Sequence, residues 1–129
     1  MERALLIALG GAIGTLARYL TAVAAARLLG GEFPWGTLIV NVVGAFAIGF
    51  VQAIGLDAFA ISDDARLFLT TGIMGGLTTY SAFSYESVKL AEAGAWPQAI
   101  LYVVVTTVTC LGLCYLGMGT GRMLVGPRS

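Results

Sequence analysis

The residues of this chain that can do chemistry are mostly uncharged and stand inside apolar runs. Asn41 interrupts the stretch Ile39-Val40-Asn41-Val42-Val43, with Thr37 one helical turn earlier on the same face. A polar group surrounded by hydrocarbon is expensive and needs a partner or a task. The Asn41 carboxamide can bridge two helices or offer its N–H groups to an anion. Arg18 breaks the apolar run from Ala4 to Ala26. It admits a snorkelling anchor, or a charge that caps a vestibule or ties helices together through backbone carbonyls.

The richest stretch runs from Thr70 to Glu86. Adjacent Gly75 and Gly76, followed by Thr78 and Thr79, favour interruption of a helix. Backbone groups freed by a break are tolerated in lipid only when buried in protein or lining a cavity. Freed carbonyls are hard oxygen ligands suited to a small cation. Tyr80 with Phe83, and Ser81 with Ser84, are i,i+3 pairs on neighbouring stripes. Aromatic rings have electropositive edges, which can face an anion, although the rings can equally just pack. Further on, Tyr102, Thr106 and Cys110 fall four residues apart and form one weakly polar stripe. Its hydroxyls can line a path or bond back to their own helix.

Other chemistry is missing. There is no His, which removes the commonest general base and metal ligand. Cys110 and Cys114, the only two cysteines, imply neither a disulfide framework nor a zinc site and read as small packing residues. Without His, paired carboxylates or a ligand cluster, no constellation for enzymatic acid–base or metal chemistry is present. Seven Lys and Arg balance seven Asp and Glu, so no net charge draws the chain to nucleic acid.

The elements that hold these residues follow from composition. The chain has 129 residues, of which 58% are hydrophobic and 11% charged, with a mean hydropathy of +0.90. Soluble domains carry roughly 25% charge; this one has too little to coat a globule and is expected in a membrane. A helix needs about 20 apolar residues to cross the hydrocarbon. The charge-free runs predict four spans near 4–29, 35–56, 66–91 and 97–119 in one domain, residues 1–129, all helical because so short a chain cannot close a barrel. Pro34 and Pro97 suit opening helical turns. A cleaved signal peptide is the alternative for the first run, but Met1-Glu2-Arg3 has no net side-chain charge and Arg18 interrupts the stretch.

With four spans both termini share a side. That side holds Arg3, Arg66, Arg122 and Arg128 against Arg27 and Lys89 on the other, a faint positive-inside bias that favours cytoplasmic termini and lets the chain insert either way round. Gly10 and Gly14, Gly72 and Gly76, and Gly117 and Gly121 are GxxxG pairs, which allow close helix approach within a bundle or between chains. A four-helix bundle fills its interior with its own side chains, so a transport role asks for at least a dimer.

Three segments together resemble the fluoride channel (Fluc/CrcB) family: Gly10 to Tyr19, Pro34 to Gly44, and Gly75 to Glu86. The likeness covers three of the four predicted helices in order, and the length fits the whole chain. It implies an antiparallel, dual-topology homodimer in the cell membrane that passively exports fluoride through two pores. It implies a break in the third helix and a central sodium ion held by the backbone carbonyls of Gly75 and Thr78. Asn41 would be the pore asparagine, with Ser81 and Thr37 as polar contacts. Tyr80 and Phe83 would match the two pore phenylalanines, Glu86 a carboxylate along the path, Tyr102, Thr106 and Cys110 the fourth-helix polar track, and Arg18 the first-helix arginine. Two positions depart from the pattern: Tyr80 replaces a phenylalanine, and Cys110 stands where serine is common.

Two rivals remain from the residues alone. A small four-helix multidrug exporter needs a membrane carboxylate for proton coupling, and Glu86 is the sole candidate. A non-transporting scaffold subunit would pass no ions when purified.

Overall fold

The computed structural model describes residues 2–126; Arg128, one of the orienting charges, lies outside them. Six α-helices, α1 to α6, carry the fold, and among the described residues there is no strand. Helix α1 covers Glu2–Leu29 and closes at Gly30, whose φ of 89° is the left-handed geometry that glycine supplies after a helix. Helix α2 covers Trp35–Gln52 with Pro34 at its N-cap, then loosens into a π-helical turn over Ala53–Asp57. Helix α3 is short, Asp63–Leu67, and starts where the Ser62 hydroxyl accepts the Ala65 N–H at 3.1 Å. A π-helical segment, Phe68–Met74, leads into α4, Gly75–Leu77. Helix α5 is Tyr80–Glu92. Helix α6, Trp96–Val125, has Pro97 in its first turn and runs past the predicted end at residue 119.

Three helical stretches are long and apolar enough to cross a membrane: Glu2–Leu29, Trp35–Leu56 and Trp96–Val125. The chain is a multi-pass membrane protein. The stretch predicted as a span over 66–91 is not one continuous α-helix. Thr78 (φ −86°, ψ 154°) and Thr79 (φ −152°, ψ 116°) are both extended between α4 and α5.

Glycine decides how close the helices come. Gly10 on α1 lies against the π segment, where an added Cβ would meet Phe68 O at 2.7 Å and Gly72 Cα at 2.9 Å. Gly14 faces Ile73 O, and Gly76 faces Gly11 O. The first two GxxxG pairs therefore pack on each other. The third, Gly117 and Gly121, rests on the Phe46 and Phe50 carbonyls of α2. All three are used inside the one chain, as small-residue packing in lipid allows.

The core is thin. Tyr102 and Val40 are its largest fully buried side chains, while Leu9, Ile13, Leu16, Val104, Val108 and Leu111 point outward. For a helix bathed in hydrocarbon, outward apolar side chains are the solvated state.

Arg3 Nε reaches Asp64 Oδ1 at 2.9 Å, so the start of α1 and the start of α3 share one end. The pair is largely exposed and serves as a marker of proximity more than a source of stability.

Candidate functional site

The site is built around the two extended threonines. Extended backbone at Thr78 and Thr79 removes helical partners from their neighbours, and side chains from two other helices replace them. Asn41 of α2 donates from Nδ2 to Thr79 O at 3.2 Å and accepts the Thr79 N–H on Oδ1 at 2.8 Å. A carboxamide here plays the part of a strand neighbour to one peptide. From α1, Arg18 donates Nε–H to Gly76 O at 3.1 Å, supplying a cation to the C-terminal end of α4, where carbonyls lack partners. Thr79 also starts α5, its hydroxyl accepting the Ala82 N–H at 3.1 Å, the usual N-cap arrangement.

Beside this junction lies a cavity of about 660 Å³ between α2, the π segment, α5 and α6. Asn41, Gly75, Thr78, Tyr80, Phe83, Thr106 and Cys110 all line it. It brings together seven of the residues singled out above. Gly44 is also in the wall, and a Cβ there would run into the Thr78 methyl. Among the described residues, Thr106 Oγ1 has no hydrogen-bond partner although it is buried. An orphaned buried hydroxyl in a cavity wall is the kind of group a ligand or water satisfies.

Thr37, Glu86 and Tyr102 form a second group outside the cavity wall. Thr37 Oγ1 and Tyr102 OH each donate to a different oxygen of the Glu86 carboxylate, both at 3.0 Å. Tyr102 is fully buried, so its hydroxyl is committed to this contact. Phe83 connects the groups: its ring centroid is 5.1 Å from Tyr102 and 5.6 Å from Tyr80. Phe83 itself is buried, whereas Tyr80 is 79% exposed. Ser81 is exposed and lies 3.2 Å from the Thr79 hydroxyl, oxygen to oxygen. Of the stripe on α6, then, Thr106 and Cys110 face the cavity and Tyr102 faces Glu86.

The carbonyls of Gly75 and Thr78 suit a hard cation. In a continuous helix Gly75 O would accept from Thr79 N–H and Thr78 O from Ala82 N–H. Those amides go instead to Asn41 Oδ1 and to Thr79 Oγ1. One chain offers two such oxygens, while hard cations gather about six or more, so a full shell needs ligands beyond this chain.

Sequence reasoning missed Thr79, whose backbone is what Asn41 holds. It also missed Gln52, which lines the cavity with its Oε1 buried and, among the described residues, unpartnered. A signal existed: Gln52 follows Asn41 by eleven residues, close to three whole turns at about 3.6 residues each, so both share one stripe of α2.

Comparison with known proteins places this architecture. The family model described as CrcB-like protein, Camphor Resistance (CrcB), matches residues 5–118. A fluoride-specific ion channel FluC of Anaeromyxobacter sp. (strain K) is 45% identical over 126 residues, 98% of this chain and all of the relative. The protein of that name from Thermus thermophilus is also 45% identical over 126 residues, with the same coverage. That from Clostridium perfringens (strain 13 / Type A) is 43% identical over 121 residues, 94% of each chain. Nearly end-to-end likeness of this degree, on a helical chain with the junction just described, means that the chain belongs to the CrcB family.

Proposed function

We propose that this chain is a passive, fluoride-selective channel that lets the anion leave the cytoplasm across the cell membrane. The reading extends to an antiparallel, dual-topology homodimer with two pores, a mid-membrane break of the third helix at Thr78–Thr79, and a central sodium ion. One observation carries it. A cavity inside a membrane protein is lined by uncharged donors and an aromatic edge, Asn41, Thr106, Cys110 and Phe83, in a chain related over its full length to proteins named fluoride-specific channels.

Fluoride is small and tightly hydrated, so a path must replace water by close donors. Asn41 spends one Nδ2 hydrogen on Thr79, which leaves the second for an anion. Thr106 brings a hydroxyl with no other commitment. Neutral dipoles and ring edges attract the ion without a fixed charge that would trap it, the balance that conduction requires. The clasped Glu86 keeps its negative charge turned to Thr37 and Tyr102. No covalent step belongs to this function.

Gly75 and Thr78 would give their carbonyls to the sodium ion, with the matching pair from a second copy. Its charge would hold the two helix breaks against each other. The exposed Tyr80 ring is then available to the partner's side of the pore.

A proton-coupled drug exporter needs a carboxylate free to exchange its proton with substrate. Glu86 has both oxygens engaged by buried hydroxyls, which weighs against that rival. The test is fluoride efflux from liposomes carrying the purified protein, read with a fluoride electrode against chloride. Asn41→Asp and Phe83→Ile should abolish efflux while the dimer persists on size exclusion. Wild-type efflux in both variants sinks the assignment, and a protein that passes no fluoride sinks the channel reading.

A further inference from the structure

The only thiol in the cavity wall belongs to Cys110, and its surroundings are those of an acceptor for soft metals. Both cysteines are free and partly buried, but they stand differently. Cys110 lines the cavity of about 660 Å³. Cys114, one turn later, is not part of that wall, and its backbone sits where α6 touches Gly49 of α2. One turn before Cys110 on the same stripe, Thr106 is 6% exposed and also lines the cavity. Its Oγ1 is without a hydrogen-bond partner among the described residues. The wall therefore offers a soft sulfur ligand beside an uncommitted oxygen donor, within an uncharged surface.

We propose that Cys110, with Thr106 beside it, is a binding site for soft thiophilic metal ions, and that occupation of this site closes the fluoride path. The closing effect rests on the channel reading above; the site itself does not. Sulfur ligands select soft metals over hard ones. A neutral mercuric salt dissolves in lipid and can reach the cavity without crossing a charged surface. The Cys110 S–H and one Hg–Cl bond break, an S–Hg bond forms, and a proton and a chloride ion leave to water. No atom changes oxidation state. A metal and its remaining chloride then stand in the wall where a single hydrogen stood.

The experiment uses full-length protein in liposomes and micromolar mercuric chloride. Efflux of fluoride should fall by about tenfold or more, because conduction depends on an unobstructed row of weak sites, and should return after excess dithiothreitol. The same comparison, with and without mercury, is made within each variant. Cys110→Ser should show no response at whatever rate it conducts, and Cys114→Ser should respond as the parent does. Intact-mass measurement should find a mercury adduct that Cys110→Ser removes.

Persistent block in Cys110→Ser overturns the proposal, and so does full modification of Cys110 without loss of flux. A Cys110 that takes no mercury in the folded protein overturns the site. If the unmodified protein passes no fluoride, the channel reading is what fails, and the adduct measurement alone then decides the site.

Discussion

The carboxamide of Asn41 is bonded in both directions to the peptide of Thr79, 38 residues further along the chain. This one side chain both repairs an interrupted helix and faces the cavity. Removing it and altering it should therefore have different consequences. Asn41→Ala leaves a buried N–H and C=O without partners, at about 1–3 kcal/mol for each group. It should unfold earlier in a detergent thermal melt and lose fluoride efflux. Asn41→Asp keeps the acceptor for Thr79 N–H and should melt closer to the parent while efflux is lost. Equal melting of the two variants would separate Asn41 from the junction.

Arg18 does for Gly76 what Asn41 does for Thr79, through a single bond at 3.1 Å. Arg18→Ala should lower stability by about 1–3 kcal/mol, the cost of an unsatisfied buried carbonyl. Arg18→Lys should recover only part, because an ammonium on a flexible stem does not reproduce a planar guanidinium. Thermal melts of the three proteins in one detergent check the order. A lysine variant indistinguishable from the parent would show that charge alone suffices.

Glycine positions can be ranked by what surrounds them. An added methyl at Gly14 would strike Ile73 O and come within 2.8 Å of Leu77 N, whereas at Gly112 nothing lies within 4 Å. Gly14→Ala should cost about 1–3 kcal/mol through overpacking against backbone, which cannot rotate away. Gly112→Ala should stay within about 0.5 kcal/mol of the parent. Yield of folded protein and melting temperature distinguish them.

Two hydroxyls share one carboxylate at Glu86. Thr37→Val and Tyr102→Phe should each lose a hydrogen bond to a charged group, about 1.5–3 kcal/mol. Combined with Glu86→Gln in a double-mutant cycle, each should show a coupling energy well above about 0.5 kcal/mol, the level at which independent sites add. Additive losses would mean that the three do not act as a unit.

The membrane character, the helical class and the residues that bear function could be read along the chain. Low charge and long apolar runs leave no other solvent, and a polar side chain among Ile and Val announces itself. The Gly75-Gly76 and Thr78-Thr79 pairs pointed to an interruption, because glycine and β-branched residues are poor helix formers. Which polar residues meet was beyond that reading. Tyr102, Thr106 and Cys110 are one stripe by periodicity, but helix packing turns the first toward Glu86 and the others toward the cavity. Contacts such as Asn41 with Thr79 and Arg18 with Gly76 span 38 and 58 residues and involve backbone groups that look alike at every position in a sequence. Local periodicity orients a side chain around its own helix axis; only the approach of other helices, set by glycines such as Gly14, Gly44 and Gly76, selects what it touches.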